Sequence, residues 1–316
     1  MTLAVLCASH TPLMKDGIAD DEVRSSVKQG FESLAKRAED FAPDLLIQFA
    51  PDHFNGFFYE VMPSFCVGIN ATSLGDWDTS TGPLPVVSDD ALQLSEMLLH
   101  EGVDVAVSYR MEVDHGFVQI WERMFGNFSR FPTIPIFINS AAPPLPTFKR
   151  ARLLGEAVGR WAAASGKRVL ISASGGLSHD PPTPSILTAP DEVKERLISG
   201  RYPSEEVQRA RVERVLAAGA RAVNGTPEIL PVDPDWDAAF IEKLQSGDLE
   251  AFDAIAMKDV RAKAGRGGPE VLAWVAAFAA LSTQGKYQAD LVYYEAIQGW
   301  IAGMAMMFAE PKADRA

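Results

Sequence analysis

Cysteine is nearly absent: Cys7 and Cys66 are the only two in 316 residues, and no Cys-x-x-Cys pair occurs. A zinc ribbon and a disulfide-stapled scaffold lose support on that count. Both cysteines fall in apolar, strand-like stretches, which reads as buried thiols in a reducing cytoplasm. Basic residues are also in deficit, 29 against 42 acidic, leaving a net charge of −13. Nucleic-acid binding needs a basic face for phosphates, so that partner class is disfavoured. An anionic small substrate is not, since one local arginine can serve it. Long apolar runs are missing too. The longest, Val271–Leu281, is well short of the roughly 20 residues that span a bilayer, so no membrane partner is expected. The start, Met-Thr-Leu-Ala-Val-Leu-Cys-Ala-Ser-His, lacks a basic leader and predicts no signal peptide, hence a cytoplasmic location. There is no Gly-x-Gly-x-x-Gly, P-loop or Gly-x-Ser-x-Gly, which counts against nucleotide binding and serine hydrolysis.

Histidine is scarce, five in the chain, yet four of them sit where an apolar run meets a turn. His10 follows Leu3–Cys7, His53 follows Leu45–Phe49, and His179 follows Val169–Ser172, all runs that read as buried parallel strands. His115 stands in Glu-Val-Asp-His-Gly-Phe. Ligands in open α/β sheets bind beyond the carboxyl ends of strands, so imidazoles placed there can converge on one crevice. The fifth, His100, ends an amphipathic helix, where a cation complements the dipole, and reads as a surface residue.

The chain alternates strand and helix signals over its first two-thirds. Helices are predicted from Asp20-Asp21-Glu22 to about Glu39, from Ser88-Asp89-Asp90 to His100, and over Phe148–Ala164. Further apolar stretches lie at Val61–Ile69, Val103–Val107 and Thr133–Ile138. This rhythm predicts a sheet with helices on both faces. Beyond Asp180 the signals turn helical, near Ser204–Val223, Pro234–Gln245 and Pro269–Leu281, with a strand-like piece at Ala289–Tyr294 and a terminal segment Trp300–Ala309. With no repeat or linker, one domain over 1–316 is expected.

Two histidines and one carboxylate on one face of an octahedron form the facial triad of non-haem Fe(II) oxygenases. His10 and His53 supply the imidazoles; Asp52, Asp114, Asp180 and Glu270 all qualify as the carboxylate. His115 and His179 suit proton transfer, and Asp114 and Asp180, their sequence neighbours, would raise their pKa values if the side chains meet. Ser174-Gly175-Gly176 would let the backbone approach a substrate.

The segments Phe49-Ala-Pro-Asp-His-Phe-Asn-Gly-Phe-Phe-Tyr59, Val113-Asp-His-Gly-Phe117, Gly175-Gly-Leu-Ser-His179 and Trp274-Val-Ala-Ala-Phe-Ala-Ala280 resemble the class III extradiol ring-cleaving dioxygenases. The resemblance runs nearly end to end and is strongest to members that open 2,3-dihydroxyphenylpropionate. It implies a three-layer α/β/α sandwich around a mixed, mainly parallel sheet with a helical C-terminal region. It also implies Fe(II) held by His10, His53 and Glu270, with His115 as proton donor, His179 as proton acceptor, and Asp114 and Asp52 in support. The implied partners are a catechol and O₂, in a homo-oligomer of four or more chains. Competing readings are a same-family enzyme for another catechol or an aminophenol, a zinc hydrolase, and a non-catalytic metal-binding protein of the Memo type.

Overall fold

The apolar runs become strands covered on both faces. The computed structural model describes residues 2–15, 18–225 and 228–312. In chain order the strands are β1 (Leu3–Ala8), β2 (Leu45–Ala50), β3 (Phe65–Gly68), β4 (Ala71–Leu74), β5 (Thr81–Pro83), β6 (Ala106–Ser108), β7 (Met111–Val113), β8 (Thr133–Ile138), β9 (Val169–Ser174), β10 (Tyr287–Ile297) and β11 (Ala302–Pro311). The helices are α1 (Asp21–Phe41), α2 (Ser88–His100), α3 (His115–Phe125), α4 (Phe148–Ala164), α5 (Asp191–Ser199), α6 (Glu205–Val223), α7 (Pro234–Ser246), α8 (Met257–Ala264) and α9 (Val271–Ser282).

The large sheet runs β10-β11-β1-β9-β2-β8-β3-β6. Its centre, β1, β9, β2 and β8, is parallel, whereas β11 joins β1 and β3 joins β8 antiparallel. The expected mixed, mainly parallel centre is thus present. Side chains alternate across a strand, and β1 shows the consequence. Leu3, Val5 and Cys7 pack into a core formed with α2, α4 and α9, while Ala4, Leu6 and Ala8 face α1 and α3. Helix α9 is buried on every side, as its unbroken apolar sequence requires.

Several boundaries differ from the sequence reading. Only Phe65–Gly68 of Val61–Ile69, and only Val107 and Ala106 of Val103–Val107, enter strands; Val61 is exposed. Ser88 begins α2 instead of capping it, and its hydroxyl donates to Asn70. The C-terminal region is not purely helical: β10 and β11 close one side of the sheet. The terminal Trp300–Ala309 segment lies in the core, chiefly as strand β11, so its apolar residues are not a free surface. A small sheet, β5-β4-β7, lay outside the sequence reading, and it delivers the chain to Asp114 and the start of α3.

Candidate active site

Three adjacent parallel strands, β1, β9 and β2, end on the same side of the sheet, and just beyond them stand His10, His179 and His53. His115 opens α3, whose N-cap Asp114 accepts from the Gly116 amide. Glu270 comes from far along the chain, on a 3-10 turn (Gly268–Glu270) leading into α9. The four imidazoles meet around its carboxylate or around one another. Glu270 Oε1 lies 3.3 Å from His53 Nε2 and 3.1 Å from His179 Nε2, and Oε2 lies 3.9 Å from His10 Nε2. The His53 and His115 rings stack at 4.4 Å, with His10 edge-on to both at 5.3 and 5.4 Å. Ligand atoms of His10, His53 and His115 all fall within 4.8 Å of one another.

The outer nitrogens fix the rings. His53 Nδ1 is 3.0 Å from Asp114 Oδ2, His115 Nδ1 is 2.6 Å from Asp76 Oδ2, and His179 Nδ1 is 3.0 Å from the Leu177 carbonyl. A carboxylate or carbonyl accepts only, so in each pair the imidazole donates from Nδ1. In neutral His53 and His179 the remaining Nε2 then carries a lone pair aimed at a carboxylate oxygen. Two acceptors at about 3.2 Å repel unless a proton or a cation stands between them. His10 adds a buried Nδ1 that has no partner among the described residues.

Glycine makes the centre reachable. Gly175 holds φ of 142°, a left-handed value that glycine favours, and a Cβ there would sit 2.9 Å from the Glu270 Cβ. The Gly176 amide donates to Glu270 Oε2 at 3.0 Å, and Trp274 Nε1 donates to the Gly175 carbonyl. The missing Cβ of Gly175 therefore admits the Glu270 side chain, and that of Gly176 the His179 ring.

Electrostatics follow burial and pairing. Burial pushes His10 down to about 3, so its ring is neutral. Burial also works against charge on His53 and His179, but Asp114 and Glu270 raise His53 well above 6.5, and Glu270 raises His179. The same contacts hold the buried Glu270 well below the usual carboxylate range. Asp52 is pushed up to about 7 by burial and by the Asp114 charge, against amide bonds from Gly56 and Asn55. With those amides and that of Phe57, Asp52 organises the turn after His53.

Two sequence expectations need correction. Asp114 pairs its side chain with His53 and Asn55, not with the neighbouring His115. Asp180 faces Arg266, at 2.6 Å from its Nε, and leaves the His179 ring to Glu270. Adjacent residues point apart because each turn is set by its own capping bonds. The true partner of His115 is Asp76, which also accepts from its amide at 2.7 Å. Asp76 lies in a tight turn where Gly75 and Trp77 are left-handed, a location with no periodic signal. Arg211 was also missed: it donates to the His53 carbonyl at 2.6 Å and to Asn55 Oδ1 at 2.8 Å. His100, as expected, ends α2 on the exposed surface. All four site histidines and Glu270 line one cavity of about 660 Å³, a size that suits a small ligand.

Similarity to known proteins gives the family. Residues 4–305 match the family described as the catalytic LigB subunit of aromatic ring-opening dioxygenase, whose enzymes are metal-dependent. The chain is 46% identical over 311 residues to the 2,3-dihydroxyphenylpropionate/2,3-dihydroxicinnamic acid 1,2-dioxygenase of Photorhabdus laumondii, covering 98% of each. It is 47% identical to the protein of that name from Cupriavidus pinatubonensis, covering 99% of this chain and 100% of the relative. For the Rhodococcus relative of that name the identity is 48%, with 98% of each covered. An uncharacterized protein of Escherichia coli K12 shares the fold, with a TM-score of 0.56 at 14% identity over 96% of this chain and 98% of that one. With the family match spanning nearly the whole chain and these relatives matching end to end, the protein belongs to the LigB family of aromatic ring-opening dioxygenases.

Proposed function

We propose that this enzyme uses Fe(II) and O₂ to open the ring of 2,3-dihydroxyphenylpropionate beside its diol, giving 2-hydroxy-6-oxonona-2,4-dienedioate. The substrates for which the relatives are named are catechols carrying a three-carbon acid, which supports this substrate class. The observation that carries the metal reading is the Glu270 carboxylate facing inward-pointing imidazole nitrogens. Two neutral imidazoles and a carboxylate are the donor set of a facial triad, so His10, His53 and Glu270 would hold the ion. When bound, ferrous iron supplies Lewis acidity toward the diol and the electrons that activate O₂.

The chain's own residues handle the protons. His179, with Nδ1–H held by the Leu177 carbonyl, presents Nε2 as the base for a catechol hydroxyl. His115, held by Asp76 through Nδ1, presents Nε2 as the acid for oxygen at the opening ring. The buried cluster, most of it shielded from solvent, limits competing reaction with water. We propose one catalytic unit over 1–316, working in a homo-oligomer.

The test is anaerobic loading with Fe(II), then O₂ uptake with 2,3-dihydroxyphenylpropionate and absorbance of the yellow ring-opened product. Uptake of one O₂ per catechol supports the proposal. Turnover with zinc and without O₂ would favour a hydrolase, and opening only of other catechols or aminophenols would move the substrate. Retained turnover with no bound metal would end the triad reading.

A further inference from the structure

Four arginines line the cavity that holds the histidine cluster: Arg196 on α5, Arg209 on α6, and, one turn apart on that same helix, Arg211 and Arg214. Residues three apart share a helix face, so the Arg211 and Arg214 guanidinium groups belong to one wall. Arg211 spends its bonds on neutral acceptors, the His53 carbonyl and Asn55. The Arg196 and Arg214 side chains have no hydrogen bond or ion pair among the described residues. Elsewhere Arg37, Arg152, Arg201 and Arg266 each meet a carboxylate, whereas Arg110 and Arg123 form no ion pair among the described residues but lie outside the cavity. In a chain with 42 acidic residues against 29 basic ones, carboxylates are plentiful. Three neighbouring arginines without one, inside the reaction cavity, leave a place for an anion from outside. Desolvation first, and then the charges of Arg211 and Arg196, pull Arg214 below the ordinary arginine range, as like charges held together do.

We infer that Arg196, Arg211 and Arg214 form the seat for the carboxylate on the substrate's side chain, while the diol is directed to the histidines. A guanidinium fork matches a carboxylate with two parallel bonds, and the arriving charge also relieves repulsion among the arginines. Arg211 connects this seat to the His53 turn, so the tail is registered against the ring. The inference rests on the proposed function, because it assigns the tail of that substrate.

The test compares kcat/KM of the Fe(II)-loaded enzyme for 2,3-dihydroxyphenylpropionate and for 3-propylcatechol, whose tail is neutral. Arg214→Gln and Arg196→Gln are expected to lower the acid-over-neutral ratio about tenfold or more, mainly through KM. Arg214→Glu lowers it further, and Arg214→Lys recovers part. A ratio unchanged in all variants overturns the seat, as does a wild type that prefers the neutral catechol. Calorimetric binding of 3-phenylpropionate, which has the tail and no diol, reads the seat without turnover and should weaken about tenfold in Arg214→Gln. If the wild type opens no catechol yet binds 3-phenylpropionate through these arginines, the proposed reaction falls and the seat stands. If it opens 2,3-dihydroxyphenylpropionate with a ratio indifferent to them, the seat falls and the reaction stands.

Discussion

Glu270 serves three imidazoles and one amide with two oxygens, and that crowding separates residue roles by experiment. His10→Ala or Glu270→Ala removes a donor from the proposed triad, so bound iron and activity should vanish together. His115→Gln and His179→Gln leave that triad intact. They should keep iron, measured by elemental analysis, and lose about 10²-fold or more in kcat, the scale of a general acid or base. Iron lost from the second pair and kept in the first would exchange the roles; His115 is close enough to His10 and His53 for that outcome to be informative. Asp76→Asn tests orientation instead. Its carboxylate takes both the Nδ1 proton and the amide of His115, and loss of such a partner costs about 10- to 100-fold. The expected signature is lower kcat with iron content unchanged; equal activity in the variant would show that His115 needs no orienting group. His10, His53, His115 and His179 were visible in the sequence because each interrupts an apolar run. Asp76 was not, because its role arises from a left-handed turn that meets a residue 39 positions later. Glu270 was one of four candidate carboxylates until family resemblance chose it, since spacing says nothing about contacts across 217 residues.

At the scale of elements, the close pairing of α4 and α9 supports the turn that carries Glu270. Gly155 and Gly159 let the two helices touch: an added Cβ would lie 2.0 Å from the Ala276 carbonyl oxygen and 2.2 Å from that of Ala280. Two effects oppose each other in Gly155→Ala. Helix propensity favours alanine by about 1 kcal/mol, whereas overpacking against backbone that cannot rotate away costs about 1–3 kcal/mol. Overpacking wins, so urea unfolding should show a net loss of stability, with activity reduced if α9 shifts. A neutral or stabilised variant would mean that the helices are further apart. The strands with β-branched, continuous apolar sequence, such as Thr133–Ile138 and Val169–Ser174, were legible. Strand β11 was not, because Ala-Gly-Met-Ala-Met-Met carries no alternation and favours helix; pairing with β1 and β10 overrides that preference. Helix α3 was missed for a related reason: eleven residues from His115 to Phe125 follow directly on a three-residue strand, leaving no separating turn signal.

For the whole molecule, the cluster couples folding to both protons and metal. Raised pKa values mark His53 and His179 in the fold, against an ordinary value of 6.5. A group raised on folding contributes its full stability below the unfolded pKa, and that contribution is lost as pH climbs through the folded value. Without a cation, the imidazolium–carboxylate contacts are therefore complete below about 6.5 and weaken progressively on the alkaline side. Glu270, depressed by the same contacts, sets their acid limit: the stability it brings is present above 4.5 and lost as pH falls through its lowered pKa. A divalent ion takes the place of the protons, so binding releases them and tightens as pH rises. Stabilisation by a ligand follows its affinity logarithmically, about 1.4 kcal/mol for each tenfold. His10, already neutral, adds no proton to displace. The difference in thermal midpoint between Fe(II)-loaded and metal-free protein, measured under argon, should thus widen from about pH 6 to about pH 8. In Glu270→Ala the midpoint should respond neither to iron nor to this change of pH in the same way. A gap that stays constant in the native chain would place the cation somewhere other than between Glu270 and the imidazoles, because only there must it compete with their protons.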